Sequence, residues 1–189
     1  MYISLKKFSL FWLLLLTLLP VARAEPLQQL SVEAYVNSLE AVRQLGERMQ
    51  AEGRQDFLQQ EVLPNGDEPF DPHQRGVKLL ARESSDDYRE LSEVVRQHGF
   101  TSAESWARVG DRVVLAYGAI KAEAESPEIL QMASQMEAMD PQMLELLPPD
   151  VRRQMDQALA IARAIAAVPQ ADREQVRPFV GQLDRIFSR

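Results

Sequence analysis

Hydrophobic residues recur every three or four positions along most of the chain after residue 30, and this is the period of one buried face of an α-helix. Ser31, a residue type that caps helix N-termini, stands directly before the first such stripe, so we expect a long helix to begin there. This helix either runs past Gly46 and Gly53 as far as Leu63 or breaks near Gly53. The stripe consists of Val32, Tyr35, Val36, Leu39, Val42, Leu45 and Met49. No segment shows the two-residue alternation of a strand. The chain is therefore predicted to be all-α, an irregular bundle of about six to eight helices.

Capping residues, prolines and glycines mark where the next helices begin and end. Asp71-Pro72 predicts a helix start, since an acidic cap accepts free backbone N–H groups and proline at the first helical position loses no hydrogen bond. Ser85 predicts a second start. His98-Gly99 predicts a helix end with a left-handed glycine, after which Phe100 folds back onto Val95 as in a Schellman motif.

Further signals divide the second half of the chain. Thr101 and Glu104 have the spacing of a capping box and predict the start of a helix that buries Trp106. Short helices are expected after Ser126-Pro127 and Asp140-Pro141. A long helix should begin at Pro148-Pro149 and end before Pro169, and Pro178 should kink or interrupt the last helical segment.

The first 24 residues have the pattern of a secretory signal peptide. Lys6 and Lys7 precede an apolar run from Leu10 to Leu19, Pro20 breaks the run, and Ala22-Arg23-Ala24 supplies the small residues of a cleavage site. The run is shorter than the roughly 20 residues that cross a bilayer, so a retained membrane anchor is the less favoured alternative. We expect residues 1–24 to be removed, no membrane span afterwards, a single all-helical domain over 25–189, and a periplasmic or secreted location.

Charge and cysteine content exclude several classes of protein. The net charge is −7, and loss of three basic residues with the leader would make the remainder more acidic still. Such a chain repels phosphates, so nucleic-acid binding is not expected. No cysteine is present, which rules out disulfides, thiol catalysis and cysteine-based zinc sites.

No assembled catalytic or metal-binding set is visible. Of the two histidines, His98 is expected at a helix C-terminus, and His73 is expected as a neutral surface group because the helix dipole disfavours its charged form in a first turn. The acids Asp67, Glu68 and Asp71 lack the spacing of a calcium loop and predict a solvated loop. No nucleophile elbow or glycine-rich phosphate loop occurs. We therefore expect no catalytic residue, no metal site and no cofactor.

Methionine is the one residue type whose distribution stands out. Four methionines would project from one side of an unbroken helix: Met132, Met136, Met139 and Met143. They predict buried core packing, an adaptable docking surface for apolar partners, or a soft-ligand site for Cu(I). Asp140-Pro141 is expected to interrupt that helix, which would take Met143 out of line.

These patterns favour binding over catalysis. The leading hypothesis is a non-enzymatic binding or protein–protein interaction module of the bacterial periplasm, whose partner is an unidentified envelope protein or an apolar ligand. The methionines are the candidate binding residues. The alternatives are Cu(I) binding by the same methionines and an enzyme whose site is not visible from sequence, for which His98 and Arg112 are the nearest candidates.

Overall fold

The computed structural model describes residues 26–54, 68–127, 131, 135 and 147–188, and the regular structure in these ranges is helical, with no strand. The helices that lie wholly within them are α1 (Gln29–Ala51), α2 (Pro72–Glu83), α3 (Ser85–Gln97), α4 (Ala103–Glu125), α5 (Pro149–Ala166), α6 (Gln170–Val176) and α7 (Val180–Phe187), with a 3₁₀ turn at Arg177–Phe179. The predicted all-α class is confirmed.

Helix α4 is the centre of the packing, because α1, α2, α3, α5 and α6 all contact it. Its buried positions include Trp106, Val113 and Ile120, as the hydrophobic stripe predicted, and they alternate with small residues such as Ala107 and Ala116. Interhelical distance is set by the side chains at the contact, so alanines at these positions let several helices approach one central helix. The predicted stripe of α1 is likewise turned toward the core, with Val42 only partly buried.

Helix α3 ends as its glycine signal predicted, and α1 ends at Ala51, which is the break near Gly53 that the sequence had left as one of two alternatives. Gly53 and Gly99 have φ of 67° and 91°, a left-handed conformation that glycine adopts without a steric penalty. After α3, the Phe100 N–H donates to the Val95 carbonyl at 3.1 Å and the Gly99 N–H donates to the Arg96 carbonyl at 3.0 Å. These two bonds define the Schellman motif, and Phe100 packs against the core as expected.

The predicted cap of α1 is wrong by three residues, and that of α4 is wrong by one. Helix α1 begins at Gln29, so Ser31 lies in its first turn. Helix α4 is capped by Ser102, whose hydroxyl accepts from the Ser105 N–H at 3.2 Å, while the Ser105 hydroxyl accepts from the Ser102 N–H at 3.1 Å. Thr101 and Ser102 both carry a hydroxyl that can cap a helix, and here the reciprocal bonds form between Ser102 and Ser105. Glu104 instead accepts a hydrogen bond from the Tyr88 phenol at 2.6 Å, which lowers the pKa of Glu104.

The start of α2 departs from the prediction in a different way. Asp71 stands at the N-cap position, but its carboxylate accepts from the Arg75 side chain at 2.7 Å and makes no cap bond to the backbone. The N–H groups of His73 and Gln74 donate to Asp111 of α4. The helix is therefore capped by a residue that is distant in sequence.

The proline signals near the C-terminus are confirmed, since α5 begins at Pro149 and ends before Pro169, and Pro178 lies in the 3₁₀ turn between α6 and α7. The 1–24 segment and the short helix predicted after Pro141 lie outside the described residues. Of the short helix predicted after Ser126-Pro127, positions 127, 131 and 135 are described, and they are helical. The division of the chain into a leader and one domain stays a prediction. Each helix within the described ranges is too short or too polar to cross a bilayer.

Candidate functional site: an apolar cavity beside a buried histidine

A cavity of about 550 Å³ lies where α1, α4, α5 and α7 converge with the segment that leads into α2. We call it the apolar cavity. Its volume lies within the range of small-molecule binding sites, which are concave and mostly apolar. The residues that line it are Tyr35, Leu39, Val42, Arg43, Phe70, His73, Trp106, Val114, Leu115, Tyr117, Gly118, Ile161, Ile165, Ile186 and Phe187.

One wall of the apolar cavity is built from His73 and the groups that hold its ring. The Tyr35 phenol oxygen lies 2.8 Å from His73 Nε2, and Asp111 Oδ1 lies 2.9 Å from His73 Nδ1. The imidazole ring is also packed edge-on against Tyr35 and Trp106, with ring centroids 5.6 Å and 5.1 Å apart. Both ring nitrogens and two flanks of the ring are thereby fixed, so His73 is a partly buried wall residue. The expectation of a surface histidine is wrong.

Asp111 organises this wall from the middle of α4. Its side chain is only 5% exposed. Its carboxylate accepts from the backbone N–H of His73 at 2.7 Å and of Gln74 at 3.3 Å, and from the Gln74 side-chain amide at 3.0 Å. These N–H groups belong to the first turn of α2, where a helix has no internal acceptors and carries partial positive charge. The free-energy cost of burying the Asp111 carboxylate is thus offset by these hydrogen bonds and by the dipole of α2.

The hydrogen-bond directions follow from the partners. A carboxylate can only accept, so His73 Nδ1 carries a proton toward Asp111, and the lone pair of Nε2 accepts from the Tyr35 phenol. Burial raises the pKa of Tyr35, and the negative charge of Asp111 raises it further, so the phenol keeps its proton as the donor. The side chain of Tyr35 is fully buried. An acid, an imidazole and a hydroxyl also stand in line in hydrolase triads, but here the hydroxyl faces the interior and fixes the wall.

A second wall is fixed by Trp106. Its indole N–H donates to the Ser38 hydroxyl at 2.8 Å, and that hydroxyl donates to the Tyr35 carbonyl at 2.6 Å. Buried indole N–H groups generally need such a partner. The chain of bonds joins α4 to α1 and holds the indole ring in place at the cavity.

The other polar side chains of the lining are also engaged within the protein. The Tyr117 phenol donates to Asp184 at 2.7 Å, and Arg43 pairs with Glu40 at 2.6 Å and with Glu47. Burial and this hydrogen bond raise the pKa of Tyr117. The polar atoms of the lining side chains therefore have partners, and the surface that faces the apolar cavity is hydrocarbon and aromatic.

A second cavity of about 560 Å³ adjoins the first and shares Phe70 and Leu115 with it. We call it the ionic cavity, because its lining contains charged side chains: Glu68, Arg112, Arg163 and Asp172. Arg112 binds Asp172 in a fork, with Nε and Nη2 at 2.9 Å and 2.7 Å from the two carboxylate oxygens, and Asp172 also accepts from the Leu27 N–H at 3.0 Å. Helix α5 contributes to both linings: Ile161 and Ile165 line the apolar cavity, and Ala160 and Ala164 line the ionic cavity.

The residues that the sequence singled out are placed as follows. Met132, Met136, Met139 and Met143 lie outside the described residues, so their role stays a prediction. His98 is the C-cap of α3, as predicted. Arg112 pairs with Asp172. Among the described residues, no group of three His, Asp or Glu side chains could hold a metal ion.

Sequence reasoning missed Tyr35 and Asp111 as partners of His73. Asp111 did carry a usable signal, since Ala107, Val114 and Leu115 surround it at helical spacing and place an acid on an apolar face. A buried acid needs compensating donors. The sequence could not say that those donors would come from α2.

No protein-family model, curated protein sequence or solved structure matches this chain.

Proposed function

We propose that this chain is a non-enzymatic binding protein that holds an apolar ligand in the apolar cavity. The observation that carries the proposal is a concave surface of about 550 Å³ whose aromatic and aliphatic lining comes from helices far apart in sequence. The leading hypothesis from the sequence named an envelope protein or an apolar ligand as the partner, and the proposal here is the apolar ligand. The cell envelope remains the location that we propose for it.

The fixed walls support this function. Binding costs less when the site is already in its bound shape, because side chains then lose little freedom on association. Tyr35, His73 and Trp106 are held by hydrogen bonds and by mutual ring contacts before any ligand arrives. The fully buried Tyr35 phenol also favours a structural over a nucleophilic role for the aligned Asp111, His73 and Tyr35.

Trp106 provides an internal reporter for the test. The chain has two tryptophans, Trp12 and Trp106, so the variant Trp12→Phe leaves Trp106 as the sole indole emitter. We would titrate this full-length variant with N-phenyl-1-naphthylamine, an uncharged apolar fluorophore. Binding in the apolar cavity predicts saturable energy transfer from Trp106 to the fluorophore.

A cavity-filling variant locates the binding. In the Trp12→Phe background, Val114→Phe places a larger ring into the apolar cavity and should abolish the saturable transfer. Val94→Phe is the matched control, because Val94 is also partly buried and helical but lines neither cavity. Absence of saturable transfer in the parent, or equal transfer in Val114→Phe and Val94→Phe at equal fold content, would show that the proposal is wrong.

A further inference from the structure

Resting on the proposed function, we infer that the ligand is a single-chain amphiphile, with the methyl end of an unsubstituted hydrocarbon chain in the apolar cavity and the polar end in the ionic cavity. This deepens the proposal in two ways, since it names a class of ligand and gives the ligand a direction.

The first argument is the state of the polar groups around the apolar cavity. His73, Trp106 and Tyr117 each line it, and each ring heteroatom or hydroxyl is bonded to another protein group. Arg43, the charged residue of the described lining, is paired with Glu40 and Glu47. A hydroxyl or amide of a ligand placed among the apolar side chains of the described lining would lose its hydrogen bonds to water and gain few in return, which is unfavourable. A hydrocarbon chain has no such groups to lose.

The second argument is the arrangement of the two cavities. They share Phe70 and Leu115, so the two cavities lie side by side at these residues. In the proposed complex the chain crosses from one cavity to the other there. There the lining includes the Arg112 and Asp172 side chains, and Arg163 is exposed to solvent. A polar end group can remain hydrated beside these charges. The pair of cavities thus matches the two halves of an amphiphile.

The third argument is shape. The apolar cavity is an open, concave site lined by residues of α1, α2, α4, α5 and α7, whereas a surface for a folded partner or a second copy is a broad patch of roughly 800 Å² on each side. A concave site of this volume fits a flexible small molecule. A second copy or a partner protein would instead bind to a broad surface of the molecule. Its binding would not depend on substituents of a hydrocarbon chain.

Brominated chains test the direction, because bromine quenches an indole only at close range. In the Trp12→Phe variant, Trp106 reports from the apolar cavity. We expect ω-bromohexadecanoate to quench Trp106 strongly and α-bromohexadecanoate, at equal occupancy, to leave most of the emission. Occupancy would be matched by displacement of N-phenyl-1-naphthylamine. Equal quenching, or stronger quenching by the α-bromo chain, would overturn the direction of binding.

A hydroxylated chain tests the chemistry of the apolar cavity. We expect ω-hydroxyhexadecanoate to bind roughly ten-fold or more weakly than hexadecanoate. Its terminal hydroxyl would lose hydrogen bonds to water and enter a described lining that is mostly hydrocarbon and aromatic. Equal affinity would overturn the inference. The two proposals fail separately: if the naphthylamine binds and no hexadecanoate displaces it, only the amphiphile is wrong, and if the naphthylamine does not bind, the proposed function is wrong as well.

Discussion

Removal of the Asp111 carboxylate should destabilise the protein more than any exposed acid would. The variant Asp111→Ala deletes four hydrogen bonds, two to backbone N–H groups and two to the side chains of His73 and Gln74. The donors of these bonds lie at the start of α2, where no intrahelical acceptor can replace the carboxylate. The loss therefore combines an N-terminal cap with the anchor of the His73 ring.

The expected cost follows from these contacts. Loss of a helix cap costs about 0.5–2 kcal/mol, and a hydrogen bond to a charged group contributes about 1.5–3 kcal/mol. The bonds converge on one carboxylate and do not add fully, so we expect the free energy of unfolding to fall by about 3–5 kcal/mol for Asp111→Ala. Asp111→Asn keeps one acceptor oxygen and should cost about half as much.

Urea unfolding followed by helical circular dichroism measures this cost. Asp86→Ala is the control, since Asp86 also lies in a first helical turn but its side chain is 85% exposed, and its loss should cost under about 1 kcal/mol. If Asp111→Ala does not fold, Asp111→Asn still permits the comparison. Amide exchange gives a second readout, with faster exchange expected at His73 and Gln74. A cost for Asp111→Ala no larger than that of Asp86→Ala would refute the reasoning.

Four further substitutions test the packing and electrostatics around the cavities. Above the ordinary tyrosine pKa of 10.0, Tyr35 loses its phenol proton in the unfolded chain but keeps it in the folded protein, so the free energy of unfolding falls as pH rises. Tyr35→Phe should reduce the steepness of this fall by about 1.4 kcal/mol per pH unit. An unchanged pH dependence in urea titrations would contradict burial of the phenol. Gly110→Ala places a Cβ 2.7 Å from Tyr35 Cε2 and should cost about 1–3 kcal/mol, whereas Gly118→Ala meets its nearest neighbour at 3.5 Å and should be neutral or stabilising in thermal unfolding. Arg112→Ala leaves the buried Asp172 carboxylate without its cation and should cost about 1–3 kcal/mol after allowance for the partial exposure of Arg112; unchanged urea unfolding would show that the pair is not needed.

The parts of the fold that sequence predicted are those whose physics is local. The apolar stripe of α1 follows from helical periodicity alone, and the end of α3 follows from a left-handed Gly99 and the backbone bonds that Phe100 makes with Val95. Proline at position 149 fixes the start of α5 in the same way. Each of these signals lies within one or two helical turns, so no knowledge of packing was needed.

The candidate site could not be predicted in the same way. Tyr35 is 38 residues from His73, and His73 is 38 residues from Asp111, so no local spacing joins them. His73 was expected at the surface as a neutral group because the sequence revealed only its position in the first turn of its own helix, where the dipole disfavours the charged form.

By itself, the sequence determined the all-α class, most helix boundaries and the composition that disfavours nucleic-acid binding. Only the tertiary structure decided which helices converge on α4, which buried acid caps α2, and that a cavity with a hydrocarbon lining lies beside His73. The physical reason is that helices arise from bonds between near neighbours. A cavity and its fixed walls arise instead from side chains that meet only after the helices have packed.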